Sequence, residues 1–132
     1  MTLTKGTDKA NNSNENNLSI QATLLGYLDN KIIPVSVKKI KFIYSSESTI
    51  YAHTLTGKNI ILRNSLDYLQ NCIDPELFFR ANRQFIINRK WIEYLEPYFN
   101  RRLIIRLTVA TPEKIIVSKT RVPVLINWLK QY

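Results

Sequence analysis

The sequence predicts a mainly β domain of short antiparallel sheets and hairpins, with one short internal helix and an amphipathic helix at its C-terminal end. Three observations predict it. Short runs rich in Ile, Val, Tyr, Phe and Thr recur along most of the chain. Pairs of turn-forming residues separate them. Apolar residues stand at helical spacing in only two places. The chain has 132 residues, 45% of them hydrophobic and 11% aromatic, which suits one domain with one core.

The elements follow in order. Residues 1–17, "MTLTKGTDKANNSNENN", hold almost nothing to bury and are expected to be a flexible tail or interdomain linker. The folded domain is expected over residues 18–132. Segments of β type follow as SIQATLLGYL, KIIPVSV, IKFIYSS, STIYAHTL and KNIILR. Turns are expected at Asp29 and Asn30, Ser45 and Ser46, Thr56 and Gly57, Asn100, and Thr111 and Pro112, so antiparallel neighbours are the default.

The first helix reads NSLDYLQNCI, with Asn64 as N-cap, Asp67 in its first turn and Leu66, Leu69 and Ile73 on one stripe; Asp74 and Pro75 end it. Residues 102–109 alternate, with Leu103, Ile105, Leu107 and Val109 on a dry face and Arg102, Ile104, Arg106 and Thr108 on a charged one. The last helix carries Val122, Leu125, Ile126 and Leu129 on one stripe. Pro123 has no amide hydrogen and must fall in its first turn, which points to Thr120 as the cap.

Charge narrows the function. Nineteen Lys and Arg stand against ten acids, a net charge of +9 and a pI near 9.8, so polyanions are the natural partners, nucleic acid before an anionic membrane. No basic amphipathic helix supports a membrane role. No apolar run reaches the roughly 20 residues of a membrane span, and the start lacks the layout of a signal peptide. Cys72 is the only cysteine, which excludes an internal disulfide and fits the cytoplasm.

Catalytic chemistry is not expected. His53 is the only histidine and has no acid or cysteine at ligand spacing, so neither a metal nor another cofactor is expected. Glycines stand only at 6, 26 and 57, which leaves no phosphate-cradling loop and no glycine-framed serine. Glu93 and Glu96 read as a charged rim rather than a catalytic pair.

The stretch FFRANRQFIINRKW, residues 78–91, mixes buried-strand residues with cations. From Phe78 to Arg106 the bases are Arg80, Arg83, Arg89, Lys90, Arg101, Arg102 and Arg106, against the acids Glu93 and Glu96. Both patterns are met if ANRQ is a turn that swings Arg83 outward. An arginine fork fits guanine O6 and N7, and Asn or Gln fits adenine N6 and N7, so Asn82, Arg83 and Gln84 are residue types that read base edges. Equally, Asn82 and Gln84 could satisfy backbone groups in the turn while Arg83 pairs with an acid. Lys119, Thr120 and Arg121 make a cationic helix entrance suited to a phosphate, or else a solvated one.

The order ELFFRANRQFIINRKWIEYL, then KIIVSKTRVPVLINWL, preceded by IKFIYSSESTIYAHTLTGKNIILRNSLDYL, resembles the LytTR family of bacterial DNA-binding domains over residues 33–129. The resemblance implies short antiparallel sheets, and loops rather than a recognition helix entering successive major grooves of double-stranded DNA, usually at direct repeats. Three segments would make contact: the turn from Ser48 to Tyr51, the loop of Asn82 to Gln84, and the entrance from Lys119 to Arg121. The family's middle loop carries His-Arg-Ser before an apolar run and Asn. Arg83 and the structural Asn88 match it; Asn82 and Gln84 depart from it. The later Ser-Arg pair stands here as Ser118 and Lys119, and Ile50 occupies a place often polar in relatives.

The resulting expectation is the output domain of a bacterial transcriptional regulator, a two-component response regulator acting in a phosphorelay. Base readers would be Asn82, Arg83, Gln84, Lys119, Tyr51 and Thr49. Phosphate contacts would be Arg80, Arg89, Lys90, Thr120 and Arg121. A homodimer on DNA and an upstream receiver or sensor domain are implied partners. Two other readings stand beside it: a single-stranded nucleic acid or RNA module stacking bases on Tyr44, Tyr51, Tyr94 and Tyr98, and a protein-interaction module using an open sheet edge or helix stripe.

Overall fold

Asp29 and Asn30 take left-handed backbone, φ 49° and 63°, the geometry of a two-residue hairpin turn whose twist matches its strands. In the computed structural model, which describes residues 19–132, they join β1 (Thr23–Leu28) to β2 (Lys31–Ser36). The tail expected over residues 1–17 lies outside the described residues, as does Leu18. A 3-10 turn, Val37–Lys39, leads into β3 (Ile40–Ser46), followed by β4 (Thr49–Thr54) and β5 (Asn59–Leu62). Gly57, at φ 84°, turns the chain between the last two.

The turn expected at Ser45 and Ser46 falls instead at Glu47 and Ser48, which take φ 49° and 67°. Ser45 and Ser46 continue the ladder opposite Ile50 and Thr49. Cross-strand pairing decides this: Tyr44 stands opposite Tyr51 with rings stacked at 5.2 Å, and that register places the reversal two residues beyond the serines.

Helix α1 (Leu66–Cys72) is capped by Ser65, whose Oγ accepts from the Tyr68 amide at 3.0 Å, rather than by the expected Asn64. Both residues are good caps, and burial of Leu66, Leu69 and Cys72 selects the later start. Then come β6 (Phe78–Arg80), β7 (Phe85–Asn88), a 3-10 turn Arg89–Trp91, β8 (Ile92–Tyr98), β9 (Arg102–Leu107), β10 (Ile115–Val117) and α2 (Val122–Gln131).

Seven strands form one sheet in the order β2-β1-β5-β4-β3-β7-β6, and three form another in the order β10-β9-β8. Every pairing is antiparallel. Side chains alternate across the large sheet, and so the single expected core is two. Ile43, Ile60 and Ile86 join Leu66 and Leu69 of α1 on one face. Phe42, Phe85 and Ile87 meet Ile105, Ile115 and Val117 of the small sheet, with Leu125 and Trp128 of α2, on the other.

Two further expectations are corrected. Ile104, assigned to the charged face of β9, is only 2% exposed, because it is central in its sheet between Glu96 of β8 and Ile116 of β10. Thr120 does not cap α2. The Ser118 carbonyl accepts from the amides of Arg121 and Val122 at 2.9 and 3.1 Å, so a preceding turn runs into the helix and satisfies those donors. Arg121 is the N-cap, with helical backbone and no side-chain cap, and Pro123 falls within the first turn as its chemistry requires.

Candidate nucleic-acid interface

Residues 81–84 turn the chain from β6 into β7, and Asn82 shapes that turn. Its Oδ1 accepts from the amides of Gln84 at 2.8 Å and Phe85 at 2.9 Å, a side chain imitating a turn of backbone. Its Nδ2 donates to the Ile116 carbonyl of β10 at 2.9 Å. Gln84 reaches the other way: its Nε2 donates to the Ser45 carbonyl at 3.1 Å and to Glu113 Oε2 at 2.9 Å, while its carbonyl accepts from the Ser45 amide at 2.9 Å. The loop is therefore bonded to β10 on one side and to the end of β3 on the other. Between these anchors the Arg83 side chain is exposed, with no polar partner among the described residues.

The neighbouring arginines hold the frame. Arg80, 17% exposed, donates from Nε to the Asn82 carbonyl at 2.6 Å and from Nη2 to the Arg83 carbonyl at 3.1 Å. Its Nη1 donates to Gln70 Oε1 at 2.7 Å and to Asp67 Oδ1 at 2.9 Å, which ties the loop to α1. Arg121 lies over the Phe79 ring at 4.8 Å and donates to the Arg80 carbonyl at 2.6 Å. Arg89 donates to the carbonyls of Trp128 and Leu129 at 3.2 and 3.0 Å, with its guanidinium 4.5 Å from the Trp128 ring centre. A cation there satisfies carbonyls that the end of α2 leaves open and opposes its dipole.

Asn88 is fully buried: its Nδ2 donates to the Ile40 carbonyl at 2.8 Å and its Oδ1 accepts from the Lys90 amide at 2.9 Å. The side chains of Lys90 and Lys119 are exposed, with no polar partner among the described residues. Thr120 Oγ1 lies 3.3 Å from Ser118 Oγ.

Arg83, Arg102, Ser118 and Arg121 line one open cleft, with Asp67 and Gln70 of α1 along its wall. The middle loop and the α2 entrance thus share a side of the molecule. Thr49 flanks the Glu47 and Ser48 turn, opposite Ser46 and so one step from the Ser45 that Gln84 holds. Tyr51 does not join them; it lines a separate hollow with Tyr27, Asn59 and Arg63. Ile50 packs against the α1-side core. Sequence reasoning missed the clasp of Asp67, Gln70 and Arg80, and missed Glu113, the acid that meets Gln84. Neither pairing has a spacing that reveals it.

The four tyrosines weighed for base stacking are scattered. Tyr44 is buried, and its burial, with Tyr51 beside it as a second cause, pushes its phenol up from the usual range. Tyr51 is stacked on it. Tyr98 lies under Arg102 and Lys114, and Tyr94 is 53% exposed. Arg106 donates to Glu96 at 2.7 Å, and that hydrogen bond raises the guanidinium further. Among the described residues no group of three or more His, Cys, Asp or Glu could hold a metal, and no helix is long and apolar enough to cross a membrane.

An antiparallel β domain that presents unpaired cations from interlocked loops, with its helices used for packing, defines a class of loop-presenting β modules. The chain belongs to the LytTr DNA-binding domain family, whose model matches residues 30–130. Among curated proteins it is 28% identical over 79 residues to the transcriptional regulatory protein YpdB of Escherichia coli K12 and of strain CFT073, a match to 60% of this chain. It spans about a third of those relatives, 32% of their length. A solved LytTr DNA-binding domain from Bacillus cereus superimposes with a TM-score of 0.72 at 17% identity, covering 83% of this chain and 97% of that one. That likeness establishes the shared fold.

Proposed function

We propose that this domain binds double-stranded DNA with sequence preference, as the output domain of a transcriptional regulator. Loops rather than a helix enter the major groove. The observation that carries the reading is the exposed Arg83 guanidinium, without a polar partner among the described residues, on a loop bonded to β3 on one side and β10 on the other. A planar fork held at a fixed place can meet guanine O6 and N7 together. Lys119 is the second base-facing cation, and Gln84 keeps its Oε1 as an acceptor. Thr49 flanks the outer contact of the β3–β4 hairpin.

Thr120, and the Arg121 nitrogens that the Arg80 carbonyl leaves free, serve the phosphates, whose neutralisation supplies affinity independent of sequence; Lys90, beside the Asn88 that reaches Ile40 at the other end of β3, stands away from that side. Arg80, Arg89, Asn82 and Asn88 act through the shape of the frame. Binding at direct repeats by two copies and control by an upstream receiver domain belong to the same reading; the response-regulator assignment draws on the family.

The experiment is selection of sites from random duplex DNA, followed by titration of Arg83→Ala on the selected and on scrambled duplex. The variant should lose about 1 to 3 kcal/mol at the selected site, with preference relaxed at one base pair. Unchanged affinities for both duplexes would remove Arg83 from its role. Tighter binding of single strands than of duplex would favour the stacking reading.

A further inference from the structure

We propose that the tip of the β8–β9 hairpin, residues 99–102, is an additional DNA contact that grips the phosphate backbone beside the segments already assigned. The inference rests on the DNA-binding reading and extends its footprint.

Leu103 of β9 pairs with Val117 of β10, so one step further the antiparallel ladder sets Arg102 beside Ser118, about 5 Å away between neighbouring strands. Arg102 also lines the cleft that holds Arg83, Ser118 and Arg121. The hairpin tip is thus continuous with the assigned side of the molecule.

Among the described residues the only ion pairs are Arg80 with Asp67 and Arg106 with Glu96, so Arg101 and Arg102 are unneutralised. Arg101 is exposed with no partner among those residues. Arg102 is held by its Nε, which donates to the Phe99 carbonyl at 3.0 Å, and by the Tyr98 ring 4.9 Å beneath it. Its two terminal nitrogens remain open.

Asn100 and Arg101 both take left-handed backbone, at φ 59° and 60°, an unfavourable conformation for a long side chain that presents Arg101 at the tip. Phe99 beside it is 71% exposed, more than any other large apolar residue described. Two cations and an unburied ring on one hairpin suit a nucleic-acid backbone, with phosphate oxygens for the arginines and a deoxyribose face for the ring. A protein partner would need acidic groups at the same spacing, and the continuity with the cleft favours DNA.

The test titrates duplex carrying the selected site, and scrambled duplex, over a range of salt, with folding of each variant checked by circular dichroism. Arg101→Gln with Arg102→Gln should lower the salt slope by about 1.8, at roughly 0.9 per phosphate. Both duplexes should weaken about ten-fold together, leaving base preference intact. Phe99→Ala should weaken both about three-fold at unchanged slope. Lys38→Gln, on the distant Val37–Lys39 turn, controls for general charge.

A double variant indistinguishable from that control overturns the proposal, whatever Arg83→Ala does. A wild-type domain that shows no preference between duplexes, while the double variant still loses slope, sinks the sequence-specific reading and keeps the hairpin contact. A wild-type domain that binds no duplex overturns both.

Discussion

Arg80→Lys separates two roles for one cation. If Arg80 met a phosphate, lysine would replace it with little loss, since the charge is kept. In the structure its guanidinium instead makes four hydrogen bonds, to the carbonyls of Asn82 and Arg83 and to Asp67 and Gln70. A lysine ammonium has three donors on a single point and no fork, so it cannot span two loop carbonyls and two α1 side chains. Asp67 is 89% exposed, so that ion pair adds little. The two carbonyl bonds carry most of the effect, and losing them should cost about 1 to 3 kcal/mol.

Much of that cost should fall on the loop rather than on global unfolding, because Asn82 still holds the turn. Titration of Arg80→Lys on selected and scrambled duplex is the assay. Affinity for the selected site should fall about ten-fold, or about 1.4 kcal/mol, as Arg83 loses its fixed place. Scrambled duplex should bind nearly as before, at an unchanged salt slope. Affinity within about two-fold of wild type on both duplexes, at an unchanged slope, would mean that lysine replaces Arg80 at a phosphate, and would refute the positioning argument.

Other outcomes follow from burial. Asn88→Ala leaves the Ile40 carbonyl and the Lys90 amide without their side-chain partner, and urea unfolding followed by tryptophan fluorescence should show a loss of about 2 to 4 kcal/mol; a loss under 1 kcal/mol would mean that water replaces the side chain. Cys72 is fully buried and its thiol is pushed up by that burial. A thiol reagent should therefore label the native domain far more slowly than the urea-unfolded chain at any pH near neutral. Fast native labelling would mean that α1 opens readily.

Local chemistry was legible wherever one residue type decides the outcome. Asp29 and Asn30 tolerate left-handed backbone, so the first hairpin could be read directly. Pro123 had to fall in the first turn of α2 wherever that helix started. The misses have a common cause in partners distant along the chain. Serines at 45 and 46 look like turn residues, but the stacking of Tyr44 on Tyr51 carries them into the ladder.

For the candidate site, the exposed Arg83 loop was visible in the clash between buried and charged patterns. The division of labour among its arginines was not. Arg80 and Arg89 look like phosphate ligands in composition, yet Arg80 closes on α1 and Arg89 on the end of α2, and only three-dimensional neighbours distinguish these uses.

The bonds around Asn82 and Gln84 join chain segments 34 and 39 residues apart. A surface already assembled in the unbound protein has little conformational freedom left to surrender on association. Encounter with a duplex should then resemble the docking of a finished part: rapid, governed by long-range attraction, and free of a slow ordering phase.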